Sequence, residues 1–200
     1  MNSSYVLFDT EYTSWEGSLE FDWSRAGEYK EIVQIAGIKI LDFDTFSGSV
    51  LFNRYILPSK NPILSSYFQE LTGISQDFLE RHAISLTLAV HEFHKFCQGS
   101  KVFSWGDDFS IIKNNLNLQN VSNPLQASNF QDLKSVYSSN GFAVEGVSSA
   151  ESSAIFEESS FFEPGKKHDA LSDALSIAAS LNKLSKIIGS NAMIKLLSEQ

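Results

Sequence analysis

The chain has 200 residues, 42% of them hydrophobic and 12% aromatic, enough for one well-packed core and short for two. A net charge of -9 excludes a general nucleic-acid coat protein, whose sequence-independent affinity comes from Lys and Arg neutralising phosphates. It leaves room for an enzyme that concentrates acid around bound cations. The single cysteine, Cys97, excludes an internal disulfide and a cysteine-based zinc cluster, and is compatible with a reducing compartment. Residues Met1 to Ser4 lack the basic and apolar regions of a signal peptide, and no stretch has the length to cross a bilayer. The expectation is one domain over residues 1–200, without a membrane segment, in the cytoplasm.

The chain opens with a short apolar run, Tyr5-Val6-Leu7-Phe8, that ends in Asp9-Thr10-Glu11-Tyr12. Side chains alternate across a strand, so Asp9 and Glu11 leave the same face. Two carboxylates at that distance repel unless protons or cations neutralise them, which points to a hard divalent metal. The plainer alternative is a solvated strand end. Residues 14 to 30 mix aromatic, acidic and glycine residues without periodicity and read as a loop or decorated hairpin beside the acid pair.

Glu31 to Ile40 is β-branched and nearly continuous, as in a central strand, and Asp42 to Gly48 makes a turn into a strand over Ser49 to Leu57, stopped by Pro58. Three antiparallel strands are expected here. Asn61 to Arg81 reads as short helices broken at Thr72-Gly73. Leu86, Ala89, Val90, Phe93 and Phe96-Cys97 have helical spacing, so an amphipathic helix is expected from Leu86 to Gln98, closed by Gly99. His91, His94 and Cys97 on that helix superficially resemble a soft-metal site, but the third ligand drifts a further turn away, and core packing is preferred.

Lys101 to Trp105 is a short strand, with Asp108 at the N-cap position ahead of Phe109-Ser110-Ile111-Ile112. Pro124 to Ala127 is expected as a further strand, followed by a helix from about Phe130 to Ser138. Ser148-Ser149-Ala150-Glu151 reads as a capping box for a short helix through Ile155, and Glu157 to Gly165 as loop. The last large element begins at Lys166-Lys167-His168 and runs to about Leu184, rich in Ala and Leu. Recurring strand-then-helix units mark an α/β chain.

Asp173 shares a face of that last helix with Ala170, Ile177, Leu181 and Leu184, so a charged Asp173 needs a partner or a cation. It could instead sit at the rim of the stripe, in water. His168 is either a solvated helix-start residue or a group titrating near neutral pH beside the metal site. Lys166 and Lys167 are placed either to contact phosphate or as a solvated helix start. Either member of the Asp107-Asp108 pair could cap its helix and also bind metal; Asp108 is preferred as the ligand and Asp107 is the fallback.

Taken together, Phe8-Asp9-Thr10-Glu11, Glu31-Ile32-Val33-Gln34-Ile35, Leu71-Thr72-Gly73-Ile74, the acid after Trp105-Gly106, and His168 with Asp173 resemble the DEDDh branch of the DEDD 3'-5' exonucleases. The match runs in order from residue 5 to about residue 184. It implies an RNase H-like α/β fold: a mixed five-stranded sheet, its first three strands antiparallel, flanked by helices. It further implies that Asp9, Glu11, Asp108 and Asp173 hold two Mg2+ or Mn2+ ions, that His168 is the general base, and that nucleoside 5'-monophosphates leave the 3' end of single-stranded DNA or RNA. Thr10, Tyr12, Thr13, Trp15 and Ile74 are the expected substrate contacts. Tyr12, Thr13, Trp15 and Trp23 are placed to stack on or wedge terminal bases, or else the loop residues pack on themselves. The chain departs from common members in its longer Trp15 to Lys30 loop and in its doubled acid. Two other readings stand beside this one: a non-catalytic binding or scaffold module of the same fold, and a phosphodiesterase for short oligonucleotides. A homodimer is left open.

Overall fold

Nine residues, Ser4–Tyr12, form β1, and Tyr5 to Glu11 are buried without interruption, as befits a strand covered on both faces. The structure, a computed structural model, describes residues 4–158 and 165–198. The further strands are β2 (Ile32–Ile40), β3 (Val50–Tyr55), β4 (Ser100–Ser104) and β5 (Phe130–Asp132). The helices are α1 (Ser18–Phe21), α2 (Ser66–Thr72), α3 (Gln76–His82), α4 (Leu86–Cys97), α5 (Asp108–Leu118), α6 (Leu133–Ser139), α7 (Ala170–Ile188) and α8 (Ser190–Leu196).

The strand order is β3-β2-β1-β4-β5. β1 pairs antiparallel with β2, and β2 with β3, as expected; β4 and β5 continue the sheet in parallel from the other side of β1. The chain therefore builds outward from β1 in two directions. The crevice at the carboxyl end of β1, beside β4, lies at the switch between them, where open α/β sheets bind ligands.

Alternation along β1 divides the core. Tyr5 and Leu7 face α7, packing with Ile38, Phe103, Ile177, Leu181 and Leu184. Val6 and Phe8 face the opposite way, with Ile35, Phe52, Val90 and Phe93 of α4, and Ile112 and Leu116 of α5. Wholly buried side chains of this size each contribute about 1.5–3 kcal/mol. Gly37 on β2 is needed for close approach: a Cβ there would lie 2.8 Å from the Leu7 carbonyl oxygen.

Four local expectations differ. The strand expected over Pro124 to Ala127 is loop leading into a 3-10 turn at Ala127–Asn129; β5 follows at Phe130–Asp132, and α6 starts only at Leu133, because Asp132 accepts from the Lys134 N–H and caps it. The capping box at Ser148 and Glu151 is present, but it opens a 3-10 turn, Ser149–Ile155. α7 begins at Ala170, capped by Asp169, and continues to Ile188. Gly189, at φ +83°, breaks it, and the separate α8 that follows was not anticipated. The loop expected from Glu157 to Gly165 lies mostly outside the described residues.

Candidate active site

Asp9 and Glu11 project from β1 toward α7, on the face set by Tyr5 and Leu7. α7 meets them with Asp173, one turn into the helix and 3% exposed. Ligand oxygens of Asp9, Glu11 and Asp173 all lie within 4.8 Å of one another, the one such His, Cys, Asp or Glu group among the described residues. His91, His94 and Cys97 do not form one; Cys97 is buried, and burial pushes its thiol up to about 12.

The fourth acid arrives from the other face. Thr10 points away from Asp9 and Glu11, toward the side on which α5 packs, and its hydroxyl donates to Asp108 Oδ1 at 2.5 Å. Asp107 is the N-cap of α5, accepting from the Ser110 N–H, so the capping role falls one residue before the expected Asp108 and leaves Asp108 to face the cluster. Gly106 makes the turn: its φ of +107° disfavours any side chain, and its N–H donates to Asp132 Oδ1 at 2.8 Å.

Burial and neighbouring acids raise all four carboxyls. Burial first, then Asp108, Glu11 and Asp173, hold the Asp9 carboxyl well above the usual carboxylate range. Burial followed by Asp173, Asp108 and Asp169 does the same for Glu11. Asp108 is pushed up to about 7 by burial against the hydrogen bond from Thr10, and Asp173 to about 6 by burial against one from Ser149. A cation resolves this frustration, and the donor set suits one: the oxygens are hard, and the buried Asp173 Oδ1 has no hydrogen-bond partner.

The helix that carries Asp173 is anchored from the sheet. Gln34, paired in register with Glu11, donates from Nε2 to Asp169 Oδ2 (3.2 Å) and to Asn53 Oδ1 (3.1 Å), and its Oε1 accepts the Ala170 N–H (3.1 Å). His168 sits just before that helix at φ +61°, half-buried; burial, then Lys167 and Lys166, lowers its pKa.

A cleft of about 400 Å³ opens over the cluster, lined by all four acids and His168 and, around them, by Thr10, Tyr12, Trp15, Leu19, Trp23, Leu71, Trp105 and Ile111. Leu19, from the 14–30 segment, is 84% exposed. That segment is tied to the rest of the chain by Ser65 Oγ donating to the Ser14 carbonyl, Asn61 Nδ2 to the Gly27 carbonyl and Asn115 Nδ2 to the Lys30 carbonyl, and it also closes on itself. Thr13 N–H donates to the Glu31 carbonyl at 2.8 Å and closes its base, and Trp23 donates from Nε1 to the Thr13 carbonyl while its ring packs tilted against Tyr12 with Lys30 over it.

Two expected substrate contacts lie elsewhere. Thr13 is buried, its hydroxyl donating to the Tyr29 carbonyl (2.5 Å) and accepting the Glu31 N–H (3.0 Å), so it serves the loop base. Ile74 is buried with Val33, Leu64, Phe68 and Leu79, while Leu71, three residues before it, reaches the cleft. Sequence reasoning missed Leu19, Leu71, Trp105 and Ser149. It also passed over Gln34, whose one signal is a polar residue inside a continuous apolar strand.

An open sheet with its switch point at β1, and a carboxylate cluster at that point with an acidic cleft above it, define an RNase H-like fold with a candidate cation-binding site. The exonuclease family model of the RNase T type matches residues 6–181. The chain belongs to this exonuclease family, and the resemblance to the DEDDh branch holds. A 3'-5' exonuclease named Snipper, from Drosophila melanogaster, is 38% identical over 74 residues, which are 36% of this chain and 25% of that protein. The chain thus spans about a quarter of that relative's length. The solved nuclease domain of 3'hExo, a DEDDh family member bound to rAMP, superposes with TM-score 0.74 at 18% identity over 94% of both chains. Escherichia coli Exonuclease I in complex with a dA16 oligonucleotide superposes with TM-score 0.61 at 12% identity, over 96% of this chain and 42% of that one. At these identities the two structures speak for the fold.

Proposed function

We propose that this chain is a metal-dependent 3'-5' exonuclease that hydrolyses single-stranded nucleic acid from its 3' end and releases nucleoside 5'-monophosphates. The observation that carries the reading is the convergence of Asp9, Glu11 and Asp173, with Asp108 held beside them by Thr10, beneath a cleft lined by aromatic and aliphatic side chains. In this reading the four carboxylates hold two Mg2+ or Mn2+ ions. Held by these carboxylates, the ions would supply Lewis-acid polarisation of the scissile phosphate, a lowered pKa for the attacking water and charge stabilisation of the leaving 3' oxygen.

The protein's own residues do the rest. His168 lines the cleft with a lowered pKa, so its imidazole is neutral at physiological pH and free to accept the proton of the attacking water. Trp15, Leu19 and Leu71 give the terminal nucleotides apolar and π surfaces to lie on, which asks for no particular base. The acid cluster repels the phosphate backbone until cations are bound, so substrate binding follows metal loading.

The test is to incubate the purified chain with single-stranded DNA and RNA oligonucleotides labelled at the 5' end, with Mg2+ or Mn2+, and to identify the products. Expected are a ladder that shortens from the 3' end and 5'-mononucleotides, both lost in Asp9→Ala. A wild type inert on both polymers with both metals overturns the proposal.

A further inference from the structure

Ser149, the first residue of the 3-10 turn, stands over the acid cluster. Its hydroxyl donates to Asp173 Oδ2 at 3.1 Å and lies near enough to Asp9 to offset part of the rise in that carboxyl's pKa. A hydroxyl has one proton, and here it goes to Asp173. The other Asp173 oxygen, Oδ1, is buried and meets no donor at hydrogen-bond geometry, with the His168 N–H the nearby group that lowers the carboxyl's pKa.

The hydroxyl is held in place independently of the acids. Ser176 lies one turn beyond Asp173 on α7; its Oγ donates to the Ala150 carbonyl (2.9 Å) and accepts the Ser153 N–H (3.1 Å), fastening the turn to that helix. Ser152 Oγ donates to the Ser149 carbonyl at 2.6 Å, and so fixes the residue that carries the hydroxyl. At the other end Glu151 accepts from Ser148 Oγ (2.9 Å) and from Lys167 Nζ (2.5 Å), tying the turn to the residue before His168. Among these serines, Ser149 is the one that reaches the acids, and nothing in its own turn requires its side chain for capping, since Ser148 supplies the cap.

We propose that Ser149 is a positioning residue of the metal site: its hydroxyl, fixed by the turn's attachment to α7, occupies Asp173 Oδ2 and so leaves Oδ1 to face a divalent cation. The proposal rests on the cation-binding reading given above and adds a residue to it. Groups that orient ligands in this way are worth about 10–100-fold in metal affinity.

Mn2+ binding to the whole chain, measured by isothermal titration calorimetry without any nucleic acid, tests it directly. Ser149→Ala is expected to weaken binding at least about tenfold. Ser149→Gly, which also lacks the hydroxyl, is expected to lose as much, and Ser149→Thr, which keeps it, to bind within about threefold of wild type. Glu151→Gln frees Lys167 but leaves the hydroxyl, and is expected to bind like wild type. Wild-type affinity in Ser149→Ala, with wild type itself binding Mn2+, overturns this inference alone. A Ser149→Thr as weak as Ser149→Ala also overturns it, because the hydroxyl would then not be what the site lacks. A wild type that binds no Mn2+ overturns the metal-dependent function and this inference together.

Discussion

Thr10 and Asp108 meet across the end of the sheet, hydroxyl to carboxylate at 2.5 Å, although Thr10 stands on the opposite face of β1 from Asp9 and Glu11. One strand thus serves the cluster with both faces: its odd residues supply two acids, and its even residue steers a third from α5. Thr10→Val keeps the shape of this buried residue and removes the donor. Turnover with Mg2+ is expected to fall about 10–100-fold with little change in melting temperature, and Thr10→Ser to recover most of it. Unaltered kinetics in Thr10→Val would detach Asp108 from the working site.

The raised carboxyls make stability depend on pH and metal together. Asp9, Glu11, Asp108 and Asp173 each hold a proton more tightly folded than unfolded, so the native state carries more protons wherever they titrate. Stability from this source is complete below the ordinary carboxyl value, near pH 4, and is lost as pH rises through about 6 for Asp173 and about 7 for Asp108. In chelator the melting temperature should therefore decline from pH 5 to pH 7.5, and saturating Mg2+ should restore it by mass action. Asp9→Asn, which relieves the repulsion, is expected to melt higher than wild type in chelator at pH 7.5. A melting temperature that climbs over that interval without metal contradicts the account.

His168 is the group whose loss should separate chemistry from binding. His168→Ala is expected to lower turnover by about 10²–10⁴-fold while Mn2+ affinity stays near wild type. Because burial and two lysines lower its pKa, the acid limb that His168 adds to the wild-type pH–rate profile should fall below the ordinary histidine value of about 6.5. A variant with full turnover would remove His168 from the role of base.

Glu31 provides a stability test remote from the chemistry. Its carboxylate is 1% exposed and is satisfied by the backbone N–H groups of Ser59, Lys60 and Asn61 and by the Ser59 hydroxyl, at 2.7 to 2.9 Å. Glu31→Gln replaces one accepting oxygen with an NH2 facing donors, and should cost about 2–3 kcal/mol, read as a lower urea midpoint at unchanged m-value. A midpoint equal to wild type would show that the 59–61 loop does not depend on the charge.

Much of this architecture can be read from local pattern. The two-residue spacing of Asp9 and Glu11 places them on one face whatever surrounds the strand, and the 3.6-residue period of α7 sets Asp173 among Ala170, Ile177 and Leu181. What stayed hidden depends on neighbours distant in sequence. β5 has three residues and owes its existence to pairing with β4, so Pro124 to Ala127 offered an equally good strand. Adjacent acids are interchangeable as caps in a sequence, and only the path through Gly106 decides that Asp107 caps while Asp108 turns inward. Ser149 belongs to a recognisable capping box, yet nothing local says that its hydroxyl ends 3.1 Å from an aspartate 24 residues later. Ile74, expected at the substrate through the family resemblance, and Thr13, expected there as part of the loop beside the acid pair, face the core and the loop base in space.

The polypeptide leaves the sheet after Thr13 and rejoins it at Glu31, and those two residues share a hydrogen bond. An excursion with touching ends can be varied as long as its anchors on Asn61, Ser65 and Asn115 are kept or replaced. Trimmed to a short turn or exchanged for another sequence, it would leave the ladder of β1 and β2 uncut, so the lining that Trp15, Leu19 and Trp23 give the cleft can change without touching the strand that carries Asp9 and Glu11.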